Sequence, residues 1–206
     1  MLDNFKVILW DFDGVLMDSN AIRGLGFEKV LADYPTDQVA ALMKFHETNG
    51  GLSRYVKFRH FFEEIRKEKI TDEQVTELAE RFSGVMKNLL FNAALLINDS
   101  IKFIRQNAAR YKMHIVSGSD GTELNALCDF LKISQYFSTI QGSPTPKNQL
   151  VEQLLANYNY PVEECVLIGD SINDLEAATI NKIAFAAYNN PALFSPEIIN
   201  ITQFYE

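Results

Sequence analysis

Val7-Ile8-Leu9-Trp10-Asp11-Phe12-Asp13-Gly14 is the stretch on which the fold turns. Four consecutive apolar residues suit a strand buried on both faces, as in the interior of a parallel sheet. The run stops at two carboxylates and a glycine, the composition of a sharp turn at a sheet rim. The pattern recurs where His114-Ile115-Val116 meets Ser117-Gly118-Ser119-Asp120-Gly121, and where Cys165-Val166-Leu167-Ile168 meets Gly169-Asp170-Ser171-Ile172-Asn173-Asp174. Residues 183–188 and 137–141 are further candidate strands. Helical patterns over 100–109, 121–131, 147–157 and 174–178 separate them. Alternating strands and helices predict an α/β fold with a parallel sheet and right-handed crossovers. Ligands of such sheets bind beyond the carboxyl ends of the strands, where this sequence keeps its polar clusters.

Residues 20–96 differ. No strand pattern is evident, and apolar and charged residues recur at helical spacing, as in Tyr55-Val56-Lys57-Phe58-Arg59-His60-Phe61-Phe62. About four helices are expected, with breaks near Pro35 and Gly50-Gly51. Another start is expected at Thr71-Asp72-Glu73, where Thr71 and Gln74 fit a capping box. The segment interrupts the α/β pattern after its first strand. We therefore expect a core of residues 1–18 and 97–206 and an all-helical cap of residues 19–96, with hinges near 18–21 and 93–99.

Composition narrows the function. A chain of 206 residues with 47% hydrophobic and 22% charged side chains is an ordinary globular protein that needs no metal or disulfide staple to fold. Nineteen basic against 27 acidic residues give a net charge of −8, unsuited to backbone binding of nucleic acid. A small phosphorylated ligand stays compatible, because a local site can carry the opposite sign. The two cysteines, Cys128 and Cys165, have no metal-ligand spacing and imply a reducing compartment. The sequence offers neither a signal-peptide pattern nor the run of about 20 apolar residues that crosses a bilayer. The expectation is a cytoplasmic monomer or weak dimer with no nucleic-acid or membrane partner.

Each polar cluster has a plain reading beside a chemical one. Asp11 and Asp13 could form an acidic turn, or a pocket that needs a cation, a shared proton or solvent. A calcium loop is excluded, because its twelfth position would be Ile22 rather than Glu. Asp170 and Asp174 would add hard oxygen ligands suited to Mg²⁺, although Asp174 could simply favour a helix first turn. Ser117 and Gly118 could hold phosphate oxygens, or Ser117 could cap the following helix. Lys147 is a solvated charge or the counter-charge of the acidic pocket.

Read in order, these pieces resemble the haloacid dehalogenase-like superfamily in its phosphohydrolase branch. Asp11-Phe12-Asp13-Gly14-Val15-Leu16-Met17-Asp18-Ser19 is similar to the first motif, Ser117 to the second, Lys147 to the third, and Gly169-Asp170-Ser171-Ile172-Asn173-Asp174 to the fourth. The resemblance implies a Rossmann-like core with an inserted helical cap. It also implies Asp11 as the nucleophile that becomes phosphorylated and Asp13 as general acid and base. Mg²⁺ would be held by Asp11, the Asp13 carbonyl and Asp170, with Asp174 behind them. Ser117, Gly118 and Lys147 would hold the phosphoryl oxygens. Dehalogenases of the superfamily lack an acid at the position of Asp13, so its presence implies phosphorus chemistry.

In the cap, Gly51-Leu52-Ser53-Arg54 resembles the Gly-x-Ser-Arg loop of β-phosphoglucomutase-like relatives, which implies Gly51, Ser53 and Arg54 as specificity residues, with Arg54 toward a distal phosphate. The same four residues equally describe a helix start capped by Ser53. Gly50 stands where the mutase-like loop carries lysine, which weakens an isomerase reading. His46, Lys57 and Arg59 read as surface or packing residues. The expected function is a Mg²⁺-dependent phosphomonoesterase for a small phosphorylated metabolite, similar to phosphoglycolate phosphatase. Alternatives are a hexose-phosphate mutase and, for a non-enzyme, a binding protein on the same fold.

Overall fold

The computed structural model describes residues 2–205; Met1 and Glu206, the outermost residues of the two expected core segments, lie outside the described residues. Six parallel strands form one sheet in the order β3-β2-β1-β4-β5-β6. They are β1 (Val7–Trp10), β2 (Lys112–Asp120), β3 (Thr139–Ser143), β4 (Cys165–Gly169), β5 (Ala184–Tyr188) and β6 (Ile199–Ile201). β1 pairs with β2 on one side and β4 on the other, Trp10 opposite Ile115 and Ile168. The strand order reverses at β1, and the crevice opened by such a reversal is where open α/β sheets bind ligands. Asp11 follows β1 directly.

Alternation along β1 sends Ile8 and Trp10 to one face of the sheet and Val7 and Leu9 to the other, all fully or almost fully buried. The first face is covered by α5 (Asn98–Asn107) and α6 (Gly121–Phe130) through Ile101, Ile104, Leu124 and Leu127. The second is covered by α7 (Lys147–Tyr158) and α8 (Ile172–Ile180) through Leu150, Leu154 and Ala177. Right-handed crossovers on a parallel sheet produce this double coverage.

Between β1 and β2 the chain forms the cap, built from α1 (Asn20–Val30), α2 (Thr36–Thr48), α3 (Arg54–His60) and α4 (Asp72–Leu90). Phe27 of α1, Phe58 of α3 and Phe82 of α4 make its aromatic centre, with Phe27 and Phe82 centroids 4.6 Å apart. The capping box is present: Gln74 N donates to Thr71 Oγ1 at 3.3 Å, and Thr71 N donates to Gln74 Oε1 at 2.9 Å. The two crossings between cap and core run side by side, Asp18 N bonding Leu95 O at 2.8 Å and Ile97 N bonding Leu16 O at 3.0 Å.

Several expected boundaries move. β2 continues through Ser117–Asp120, whose polar side chains carry no apolar signal, with a shift of register against β3 between Val116 and Asp120. β3 starts two residues later than expected, because Phe137 packs into the core ahead of the strand. The short edge strand β6 was unexpected; three residues give too little pattern. Beyond it Phe204 packs against Trp10, Phe103 and Tyr188, and its backbone N–H reaches Asp99 at 3.0 Å. Cys128 and Cys165 are buried free thiols. Among the described residues, no helix is long and apolar enough to cross a membrane.

Candidate active site

Asp11 sits on the β1 ladder, its N–H bonded to Ile168 O at 2.9 Å, and its side chain is buried. The chain then turns through Gly14, whose φ of +74° favours glycine. Its N–H bonds Met17 O at 2.8 Å, and its carbonyl accepts from Asn189 Nδ2 at 3.0 Å. A Cβ on Gly14 would overlap Asp170 Oδ2, so the glycine lets the β1 turn and the β4 turn approach. Gly14→Ala should therefore displace Asp170 and weaken divalent-cation binding about 10–100-fold, as loss of a ligand's support typically does. Calorimetric titration with Mg²⁺ measures this; an unchanged affinity would show that Asp170 does not depend on the turn.

Carboxylate oxygens of Asp11, Asp170 and Asp174 lie within 4.8 Å of one another. Lys147, in the first turn of α7, meets Asp11 Oδ1 at 2.9 Å and also pairs with Asp174. Burial and the negative charges of Asp174 and Asp170 push Asp11 well above the ordinary carboxylate range, against the pull of Lys147. Burial and Asp174 push Asp170 up to about 7, although Asn20 Nδ2 donates to its Oδ2 at 2.8 Å. Burial disfavours the Lys147 ammonium, but Asp11 and Asp174 outweigh it and hold the charge firmly. One lysine cannot neutralise three clustered carboxylates. Hard oxygen donors left with surplus negative charge fit a divalent cation. Asp174 is the least free of the three, since Ser171 N and Oγ both donate to its Oδ2, at 3.0 and 2.6 Å, and Lys147 takes its Oδ1. Asp11 and Asp170 are thus the groups best able to contact such an ion, with Asp174 orienting Lys147. The helix-start reading of Asp174 is present too, as the N3 partner in the α8 capping box.

Asp13 is held elsewhere. Its Oδ1 accepts from Ser19 Oγ and from Arg23 Nε (3.0 Å for the latter), and its Oδ2 accepts from Ser119 Oγ. Burial raises its pKa, but Arg23, Ser119 and Ser19 together prevail and lower it. Ser117 is buried beside Asp11 in the same cavity and does not cap α6; Asp120 does, accepting from Thr122 N at 3.1 Å and Glu123 N at 3.0 Å. At Gly118 a Cβ would overlap the Gly51 carbonyl, so the cap loop lies directly on the core there.

The cap loop takes distinct roles. Ser53 caps α3, accepting from Val56 N at 3.3 Å. Arg54 is buried at the cavity wall, its Nη1 donating to Ser83 Oγ at 2.7 Å and its Nη2 to Glu123 Oε1 at 2.8 Å. Glu123 also pairs with Arg23, and Tyr55 OH donates to Asp120 Oδ2 at 2.9 Å. These links hold the cap against the core around a partly open cavity with about 40 Å³ of free space, room for a few waters in this arrangement.

Sequence reasoning passed over Asn20, Arg23, Ser119 and Glu123, and took His46 and Lys57 for surface or packing residues. The structure buries His46 and Lys57, and both line the cavity; only Arg59 is partly exposed, paired with Asp72 and Glu63. Spacing held a usable signal for Lys57, three residues beyond Arg54 and so on the same helix face.

The chain has relatives among known proteins. A family model described as haloacid dehalogenase-like hydrolase matches residues 5–179. A 5'-nucleotidase from Pseudomonas aeruginosa is 23% identical over 184 residues, covering 86% of this chain and 79% of that protein. Phosphoglycolate phosphatase from Mannheimia succiniciproducens is 22% identical over 187 residues, covering 86% and 83%. The crystal structure of CbbY from Rhodobacter sphaeroides, in complex with xylulose-1,5-bisphosphate, shares the fold with a TM-score of 0.77 at 14% identity, over 97% of this chain and 95% of that one. With most of its length inside the family match, the chain belongs to the haloacid dehalogenase-like hydrolases, as an enzyme of their phosphatase branch.

Proposed function

We propose that the protein is a Mg²⁺-dependent phosphomonoesterase that acts on a small phosphorylated metabolite through an aspartyl-phosphate on Asp11. The observation that carries this is the placement of Asp11: a buried carboxylate at the reversal point of the sheet, 2.9 Å from Lys147, sharing one cavity with Asp13, Ser117 and Asp170. Mg²⁺, held by Asp11 and Asp170 and by the Asp13 carbonyl that the family resemblance implies, would supply charge neutralisation for the incoming phosphate dianion. Asp11 attacks phosphorus, the ester P–O bond breaks, and the leaving oxygen takes a proton from Asp13, which is ionised in the ligand-free protein and would take that proton up from solvent as the substrate's negative charge enters. Asp13 then accepts a proton from water as that water attacks phosphorus, which releases inorganic phosphate and restores Asp11. Ser117 and the Gly118 N–H would hold phosphoryl oxygens, and Lys147 favours the ionised form of Asp11 and orients it. The reading carries with it a cytoplasmic monomer or weak dimer.

A panel of phosphomonoesters tests the proposal, with 2-phosphoglycolate, 5'-nucleotides and hexose 1-phosphates included because the relatives and the cap loop point to them. The expected result is release of inorganic phosphate that requires Mg²⁺ and stops on chelation. A hexose 6-phosphate formed from the 1-phosphate would establish the mutase instead. No turnover of any monoester with Mg²⁺ present would overturn the reading.

A further inference from the structure

Arg54 and Lys57 share one face of α3, but the cavity meets them in different states. Arg54 is charge-paired: its Nη1 donates to Ser83 and its Nη2 to Glu123, and its guanidinium lies 4.5 Å from the Phe82 ring centroid. Lys57 is only 2% exposed, and its Nζ donates to His46 Nδ1 at 2.8 Å and to Gly50 O at 3.0 Å. Both partners are neutral, since burial and the nearby Lys57 charge push His46 down to about 4. Among the described residues, no carboxylate forms an ion pair with Lys57. Burial accordingly pushes its ammonium down to about 7, with Asp13 and Asp11 favouring the charge and Arg23 and Lys147 opposing it.

Arg23 supplies a second unmet donor. Its Nε goes to Asp13 and its Nη1 to Glu123, while Nη2 is buried with no hydrogen-bond partner. Arg23 and Arg54 are thus balanced by Asp13 and Glu123, and Lys57 is the surplus cation of the cavity wall. Buried ammonium groups without counter-ions are strongly disfavoured, and unfilled buried donors add to that penalty. An anion entering the cavity would meet both needs, and the scissile phosphate already has Lys147, Ser117 and the metal-binding carboxylates at its own end.

We propose that Lys57, together with Arg23 Nη2, is a second anion site that selects substrates whose leaving group carries its own carboxylate or phosphate. The inference rests on the phosphomonoesterase reading for its meaning but can be tested without turnover. The probes are ethylphosphonate, phosphonoacetate and ethane-1,2-bisphosphonate, which share a non-hydrolysable phosphonate and differ in having no second anion, a carboxylate or a second phosphonate. Calorimetry with Mg²⁺ present should show one of the doubly anionic probes binding at least tenfold tighter than ethylphosphonate, and which one identifies the anion. Lys57→Met, which keeps the apolar stem, should reduce that preference to within about threefold, and Lys57→Arg should restore most of it. Lys57→Gln replaces the methionine variant if the latter does not fold.

Where the protein hydrolyses monoesters, the ratio of kcat/KM for 2-phosphoglycolate over p-nitrophenyl phosphate should collapse in Lys57→Met, through KM, and recover in Lys57→Arg. Equal binding of all three probes by the parent, or a preference that survives in Lys57→Met, would overturn the inference. A parent that shows the preference but hydrolyses no monoester would sink the phosphomonoesterase reading alone.

Discussion

Asp11→Asn should lower kcat on the order of 10⁴-fold or more while leaving the fold intact, as removal of a covalent nucleophile does in comparable enzymes. No neighbour can replace it. The oxygens of Asp13 are both occupied, by Ser19, Arg23 and Ser119, and those of Asp174 by Ser171 and Lys147. Asp170 follows β4, and its Oδ2 is held by Asn20 Nδ2 at 2.8 Å. The ligand-free variant should melt no lower than the parent. Asp11 is a buried carboxylate crowded by two others, so a neutral isostere removes repulsion, and Lys147 retains Asp174 as its partner. Acid-quenched parent incubated with labelled substrate should carry a hydroxylamine-labile phosphoryl group, and the variant none. Turnover in Asp11→Asn within tenfold of the parent would sink the nucleophile assignment.

What the sequence disclosed follows from which features repeat locally. β1 and β4 were readable because each is apolar on both faces, a signal contained within four or five residues. Ser117–Asp120 continues β2 invisibly, because Ser117 and Ser119 line the cavity and Asp120 caps α6, and all three are polar for those reasons. Gly14 could be read as a turn residue, but its need for φ > 0 and the proximity of Asp170 depend on a strand some 150 residues away. The cap was legible as helices and hardly at all as a surface. Arg23 and Lys57 look like solvated charges on amphipathic helices, and only docking of α1 and α3 onto the core carries them into the cavity. Arg54 shows the converse: a loop pattern marked it as a ligand contact, while the partner that engages its guanidinium, Glu123, lies in α6 and has no motif of its own.

The second large effect belongs to Asp13. Asp13→Asn should cut kcat by ~10²–10⁴-fold, the usual contribution of a positioned acid and base. Mg²⁺ affinity should stay close to that of the parent, because neither carboxylate oxygen of Asp13 belongs to the Asp11–Asp170–Asp174 cluster and its expected metal contact is through the backbone. Unlike Asp11→Asn, this variant should be less stable, by about 1–3 kcal/mol near neutral pH, since asparagine loses the charge that Arg23, Ser19 and Ser119 address. The pH dependence has a definite sign. Burial works against the Asp13 carboxylate, but Arg23 and the two hydroxyls hold its folded pKa below 3.8, the ordinary value. The stabilisation is therefore fully present above that value and disappears as pH falls through the lower folded one. Melting curves of parent and variant should stand furthest apart near pH 7 and converge below about pH 4. Near-parent turnover would remove Asp13 from the chemistry. A gap that widened with acid would mean that the carboxylate is protonated in the folded protein, contrary to its three donors.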